Sequence, residues 1–168
     1  MATERITKGT QLFYIDPATK KVSLFPCVTT ISGIDASNPN IDVTCLSDPV
    51  KVYVAGMPEP GSAQFNMHFN PEYTEYVRLF ELKQTGESLK FALGYGPRTR
   101  TQADFDATTA IVPTSDAEGN FVLPDGRDWL TFQGHIATFP QDFAVGNVVT
   151  ANASLQLSGE IKLFTIKK

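Results

Sequence analysis

VVTANASLQLSGEIKLF, residues 148–164, alternates apolar and polar side chains almost without a break. Val149, Ala151, Ala153, Leu155, Leu157, Ile161 and Leu163 share one face, and Thr150, Asn152, Ser154, Gln156, Ser158, Glu160 and Lys162 share the other. That period of two belongs to a β-strand. Strands usually run about five or six residues, so one this long spans a whole sheet or extends past its own domain. Its polar face is mostly uncharged.

Working outward, most other segments also read as strand or turn. AQFNMHF, residues 63–69, sets Phe65, Met67 and Phe69 against Gln64, Asn66 and His68, and residues 88–95 set Leu89, Phe91, Leu93 and Tyr95 against Ser88, Lys90, Ala92 and Gly94. Residues 129–139 form a further regular strand, and Gln11–Ile15 returns through Asp16-Pro17 to residues 22–25 as a hairpin. In VTTISGID, residues 28–35, Gly33 marks a bulge or a close backbone approach. The segment 42–61 holds Val50, Val52, Val54 and Met57 between Pro49, Pro58 and Pro60. It reads as a long extended loop or a protruding hairpin, and an exposed Val-rich strand of this kind needs cover, which a partner subunit can give. Residues 97–128 change character and read as a surface insertion with a small hairpin.

One helix stands out, in NPEYTEYVRLFELKQTG, residues 70–86. Asn70 is placed to cap it, Pro71 suits its first position, Glu72 and Glu75 complement its positive end, and Gly86 supplies the stop. Tyr73, Tyr76, Val77 and Phe80 fall on one side and are the expected packing face, near residues 71–84. Leu79 and Leu82 lie off that side, so a second surface is also open to cover by a sheet or a neighbouring subunit. Together the elements predict a single, mainly β domain over residues 1–168, of two packed antiparallel sheets, sandwich- or barrel-like, with one flanking helix. Residues 1–10 are polar and aperiodic and read as an N-terminal arm.

The composition narrows the function. Fourteen basic against eighteen acidic residues leave a net charge of −4, which does not suit an electrostatic grip on nucleic acid. No apolar run approaches the roughly 18 residues of a membrane span, and MATERITKGT lacks the apolar region of a signal peptide, so the expected setting is a cytoplasm. Cys27 and Cys45 read as free buried thiols. A phosphate loop, nucleophile elbow and dinucleotide fingerprint are all missing, since GYGPRT lacks its third glycine. A metal site would require His68 and His135 to meet in space. Asp104 and Asp106, or Asp116 and Glu118, suit turns better than calcium, and Asn152-Ala153-Ser154 lies mid-strand, which disfavours glycosylation. No catalytic residue, metal or cofactor is expected.

The order of GTQLF, TTISGID, IDVTCLSD, GMPEPGSAQFNM, the helix, FQGHIATFPQD and VVTANASLQLSGEI resembles the major tail proteins that build the tail tube of long, non-contractile-tailed bacteriophages. The similarity covers residues 9–96 and 129–164 and rests on order and local pattern; residues 97–128 have no counterpart in it. The resemblance implies six subunits per ring, rings stacked into a hollow DNA-conducting tube in the virion tail, a loop at 42–61 that reaches the adjacent ring, and an arm at 1–10 that joins rings. It also implies tape-measure, tail-tip and tail-terminator partners and assembly in the bacterial host cytoplasm, without a membrane partner.

Three sequence features agree with this. A long strand can pair across subunits into a barrel without open edges. A polar face without fixed cations lets a polyanion slide, because each bound phosphate would be a point of drag. A Pro-interrupted apolar loop suits a clasp buried only on assembly. Thr150, Asn152, Ser154, Gln156 and Ser158 are the candidate lumen-facing residues. The alternative is a non-enzymatic β-sandwich module of a tail tip or fibre that binds a carbohydrate or receptor, with Trp129 and the tyrosines as a stacking platform.

Overall fold

The computed structural model describes residues 7–97 and 101–166. In chain order the elements are β1 (Gln11–Ile15), β2 (Val22–Leu24), β3 (Val28–Ser32), β4 (Ala36–Ser37), β5 (Asn40–Asp42), β6 (Tyr53–Ala55), β7 (Glu59–Pro60), β8 (Ser62–His68), α1 (Thr74–Thr85), β9 (Leu89–Gly94), α2 (Gln102–Thr109), β10 (Thr114–Ser115), β11 (Phe121–Val122), β12 (Trp129–Thr138), β13 (Gln141–Asp142) and β14 (Thr150–Phe164). Eight of these strands form one antiparallel sheet, ordered β2-β1-β9-β12-β14-β8-β3, with β13 also on β14. Three short antiparallel ribbons, β4-β7, β5-β6 and β10-β11, complete the β structure.

The large sheet is barrel-like because it curls around its own apolar face. β8 and β9 stand three strand spacings apart in the sheet order, which is about 14 Å in a flat sheet. Yet Phe65 of β8 stacks on Phe91 of β9 with ring centroids 6.5 Å apart, and on Phe132 of β12 at 6.3 Å. Phe25, just after β2, bridges Tyr14 of β1 and Phe65, so the two ends of the sheet meet across the core. The curl leaves an open seam, a groove of 820 Å³ between β1 and β3 lined by Leu12, Phe25, Val28 and Ile31 among others. The expected alternations sit on this core: β8 buries Ala63, Phe65 and Met67, and β14 buries Ala151, Ala153, Leu155 and Leu157. Burying each larger side chain contributes about 1.5–3 kcal/mol.

β14 is as long as its sequence implied, but it is bulged. Its register against β12 jumps from Lys162 opposite Thr131 to Ser158 opposite Gln133. Gly159, at φ 75°, accommodates the jump, since a Cβ there would lie 2.6 Å from Gln133 Nε2. Beyond the bulge the apolar face leaves the core: Ile161 is half-buried and Leu163 exposed. Gly33 is the close approach its sequence suggested, with φ 77° and a would-be Cβ 2.6 Å from the Ser62 carbonyl.

Helix α1 corrects the expected packing face. Tyr76, Leu79 and Leu82 are buried against the sheet, whereas Tyr73, Val77 and Phe80 are exposed at 51%, 47% and 40%. Both sides of the helix are apolar, and the sequence does not say which of them meets its own sheet. Tyr76 serves both, because its buried ring carries a hydroxyl that donates to the Pro26 and His68 carbonyls. The start is also later than expected. Asn70 closes a turn, its side chain accepting from the Glu72 N–H and its carbonyl from the Tyr73 N–H, and the helix begins at Thr74. Its end is the expected Gly86, at φ 68°. Arg78 ties α1 to the β1–β2 turn through two hydrogen bonds to Asp16, of 2.8 and 3.0 Å.

A second helix, α2, was not expected. Thr101 caps it, accepting from the Asp104 N–H. The segment 101–128 is also more than a surface addition, because its Ile111, Phe121 and Leu123 pack on a second apolar cluster of Phe13, Ala92 and Trp129, on the outer face of the sheet. The cysteines are free, as expected, but both are exposed rather than buried.

Candidate functional site

The outward face of the strands around β14 is a continuous polar surface. Registers place Thr150, Asn152, Ser154 and Gln156 opposite His68, Asn66, Gln64 and Ser62 of β8. Across the other edge, Gln156 and Ser158 lie opposite His135 and Gln133 of β12. Thr30 and Ser32 of β3 extend the surface beyond Asn66 and Gln64. None of these side chains is Asp, Glu, Lys or Arg; Glu160 and Lys162 lie past the bulge and pair with each other at 3.3 Å.

The wall is held close together. Gly134 lets β12 approach β14, because a Cβ there would stand 2.3 Å from the Gln156 carbonyl oxygen. Gln156 Nε2 donates to the Gly61 carbonyl at 3.2 Å and so anchors the corner where β8 begins. Gln156 and Ser158 are exposed, while Thr150, Asn152 and Ser154 are half-buried among their neighbours. Asn152 Oδ1 is buried without a hydrogen-bond partner. His68 and His135 do not meet: they sit opposite Thr150 and Gln156, six residues apart on β14 and therefore about 20 Å apart along the strand. Among the described residues no group of three metal-ligating side chains occurs, and no helix is long and apolar enough to cross a membrane.

Two apolar features complete the surface. Residues 36–60 form an arm of two ribbons, β4-β7 and β5-β6, along which no residue is buried. Leu46, Val50, Val52, Val54 and Met57 are all exposed on it, Leu46 fully. The second is a groove of 410 Å³ beside α1, lined by Phe69, Pro71, Tyr76, Val77, Phe80 and Phe143 together with Gln141 and Val149. The 143–148 turn beside it exposes Phe143 at 75% and Val145 completely.

Trp129 is not a stacking platform. It is 1% exposed, its Nε1 donates to the Pro124 carbonyl, and its ring lies against the Arg127 guanidinium. Arg127 is the residue the sequence reading missed. It is 2% exposed and donates to the carbonyls of Gly9, Gly94, Tyr95 and Ile111 and to Gln11 Oε1, over 2.6–3.2 Å. Burial lowers its pKa to about 10. Gly94 makes the room, since a Cβ there would be 2.5 Å from the guanidinium. This knot holds part of the expected N-terminal arm: Gly9 is bound by Arg127, and Lys8 lies over the Phe105 ring. Residues 1–6 of that arm lie outside the described residues.

The family model for phage tail tube protein, TTP, lambda-like, matches residues 3–167. The chain belongs to this phage tail tube family. A relative 40% identical over 162 residues, covering 95% of this chain and 94% of its own, is "Structural protein 3" of Pseudomonas phage PAJU2. Two solved structures share the fold at low identity. The SPP1 tail tube has a TM-score of 0.64 at 16% identity, over 98% of this chain and 81% of that one. The tube–sheath complex of the extracellular contractile injection system PVC, in its extended state, has a TM-score of 0.67 at 11% identity, over 97% and 93%. The tail tube subunit is thus a structural component of the virion tail and not an enzyme. Residues 97–128, without a counterpart in the sequence resemblance, fall inside the matched span.

Proposed function

We propose that this tail tube subunit assembles into hexameric rings, that the rings stack into a hollow tube, and that the polar wall lines a lumen through which DNA passes during genome ejection. The outer face of β3, β8, β12 and β14 as far as Ser158, which carries no Asp, Glu, Lys or Arg, carries the reading. A polyanion bound to fixed cations would stick in proportion to the phosphates engaged, and amide and hydroxyl side chains hold it no better than water does. Thr150, Asn152, Ser154, Gln156 and Ser158 are the lumen residues of β14, joined by Gln64, Asn66 and Gln133. β3 leaves a free edge at one end of the sheet and β2 at the other, and pairing free strand edges between subunits joins the walls into a barrel. The arm at 42–61, with Val50, Val52, Val54 and Met57, reaches the adjacent ring, and residues 1–10 help to join rings. Tape-measure, tail-tip and tail-terminator proteins are the further partners, and assembly takes place in the host cytoplasm.

The test is the double variant Ser154→Lys/Ser158→Lys. Its tubes form normally in negative-stain electron microscopy, and phage carrying it eject DNA slowly or stall, with the defect relieved by salt. Unchanged ejection from tubes that contain the variant removes these residues from the lumen.

A further inference from the structure

The polar wall accounts for only part of the outer face of the sheet. Because the sheet curls, Phe65 of β8 stacks across the core on Phe91 of β9 and on Phe132 of β12. The outer face of β1 and β9 therefore looks away from the outer face of β8 and β14. That far face is apolar. It carries Phe13, Ala92 and Trp129, and residues 101–128 close over them with Ile111, Phe121 and Leu123.

The cover is held down by cations of the body beneath it. Lys20, in the β1–β2 turn, donates through Nζ to the Ala117 carbonyl at 2.9 Å. Lys90 of β9 donates to the Gly119 carbonyl at 3.1 Å and to Asn120 Oδ1 at 2.5 Å. Arg127 ties the base of the segment together, joining the Ile111 carbonyl to those of Gly94 and Tyr95. None of these bonds uses a carboxylate of the segment. Residues 101–128 contain six Asp and Glu against the single Arg127, which is buried. This segment alone thus carries more negative charge than the whole chain's net −4, and Asp104, Asp106, Glu118 and Asp125 are exposed on it.

The wall decides which way this surface looks. With the outer face of β8 and β14 on a lumen, subunits around a ring meet through their edges and flanks, and the face opposite the wall looks out of the tube. We infer that residues 101–128 are the outer coat of the tube, an acidic cover clamped by Lys20, Lys90 and Arg127 that shields the apolar face around Trp129. This rests on the lumen reading and adds to it the surface that the assembled tail presents. Carboxylates repeated on every subunit repel other tubes and anionic surfaces within a Debye length, about 8 Å at physiological ionic strength. Tails therefore stay apart although each is built on an apolar sheet face.

The test labels assembled tubes from outside. The background is Cys45→Ser with Cys27→Asn, chosen because Cys27 sits at φ 44° and Asn tolerates that region. One thiol is then added by Glu118→Cys or, separately, by Ser158→Cys. The probe is a maleimide coupled to an antibody fragment, too bulky to enter a tube. The expected result is that Glu118→Cys reacts in tubes as fast as in unassembled subunits, while Ser158→Cys reacts only before assembly. Shielding of both thiols in tubes means that the segment lies between subunits, which overturns the coat and leaves the lumen reading intact. Reaction of Ser158→Cys in intact tubes overturns both. A second measurement keeps the native cysteines and runs tubes of Asp106→Asn/Glu118→Gln/Asp125→Asn beside the parent on a native agarose gel. The expected result is slower migration to the anode, with lateral bundling by electron microscopy. Unchanged migration overturns the coat, and slower tubes that stay as dispersed as the parent overturn its role in keeping tails apart.

Discussion

Replacing Arg127 by methionine tests whether the outer half of the molecule is held by one buried cation. The guanidinium makes five hydrogen bonds, and hydrogen bonds to charged groups contribute about 1.5–3 kcal/mol each. Against this stands the desolvation of a cation that is 2% exposed with no carboxylate among those five partners, a cost of several kcal/mol. Methionine keeps the packing on Trp129 and removes the desolvation, but leaves the Gly94 carbonyl buried with its donor gone. The other carbonyls are part-buried and regain water in part. The balance is a loss of about 3 kcal/mol, or a fall in Tm of roughly 6–12 °C for a chain of this length. Arg127→Lys keeps the charge but not the planar fork, and is expected to lose about 2 kcal/mol. Thermal unfolding of the unassembled chain by circular dichroism gives the stability. Limited proteolysis reads the local effect, with residues 101–128 cut sooner in both variants. A methionine variant as stable as the parent, or more stable, refutes the argument and shows that desolvation outweighs the hydrogen bonds.

Gly134→Ala drives a Cβ to 2.3 Å from the Gln156 carbonyl, so β12 and β14 must part. A loss of about 2–3 kcal/mol is expected, and an unchanged urea midpoint would mean that the wall is slack there. Tyr14 and Tyr76 are both pushed from 10.0 to about 12, chiefly by burial. Because the folded state holds those protons more tightly, their contribution is complete below pH 10 and is lost as pH rises through about 12. Arg127, lowered to about 10 from an ordinary 12.5, acts oppositely in the same window and offsets only part of the loss. In a phenolate absorbance titration, two of the five tyrosines therefore ionise late, near pH 12. All five titrating near pH 10 in a folded chain would contradict this. Asp16 is held below its ordinary value mainly by its hydrogen bond from Arg78. The α1 anchor therefore persists above pH 3.8 and is lost as pH falls further, seen as earlier acid unfolding in Arg78→Ala.

How much of this was legible in the sequence depended on whether a pattern had one reading or two. β8 and β14 have a polar and an apolar face, and their inward residues followed directly as far as the Gly159 bulge, beyond which Leu163 is exposed. α1 carries two apolar faces, and the aromatic one, Tyr73, Val77 and Phe80, was taken for the buried one although Leu79 and Leu82 fill that place. The two faces differ in partner, not in hydrophobicity. α2 announced itself only through Thr101 and Asp104, a capping pair ahead of a helix with little apolar periodicity. Arg127 carried no local signal at all, because its partners, from Gly9 to Ile111, converge from three distant segments. The small side chains at Ala92 and Gly94 were the trace it left, and a strand face that small implies something large packed over it.

The central claim concerns which face of the sheet looks inward. Cryo-electron microscopy of tubes assembled from the full chain, at a resolution that shows side chains, measures it directly. The account predicts six-fold rings with Gln64, Asn66, Gln133, Ser154, Gln156 and Ser158 on the innermost surface. Tubes whose lumen is lined by other residues, with this polar wall turned outward or buried between subunits, would contradict it.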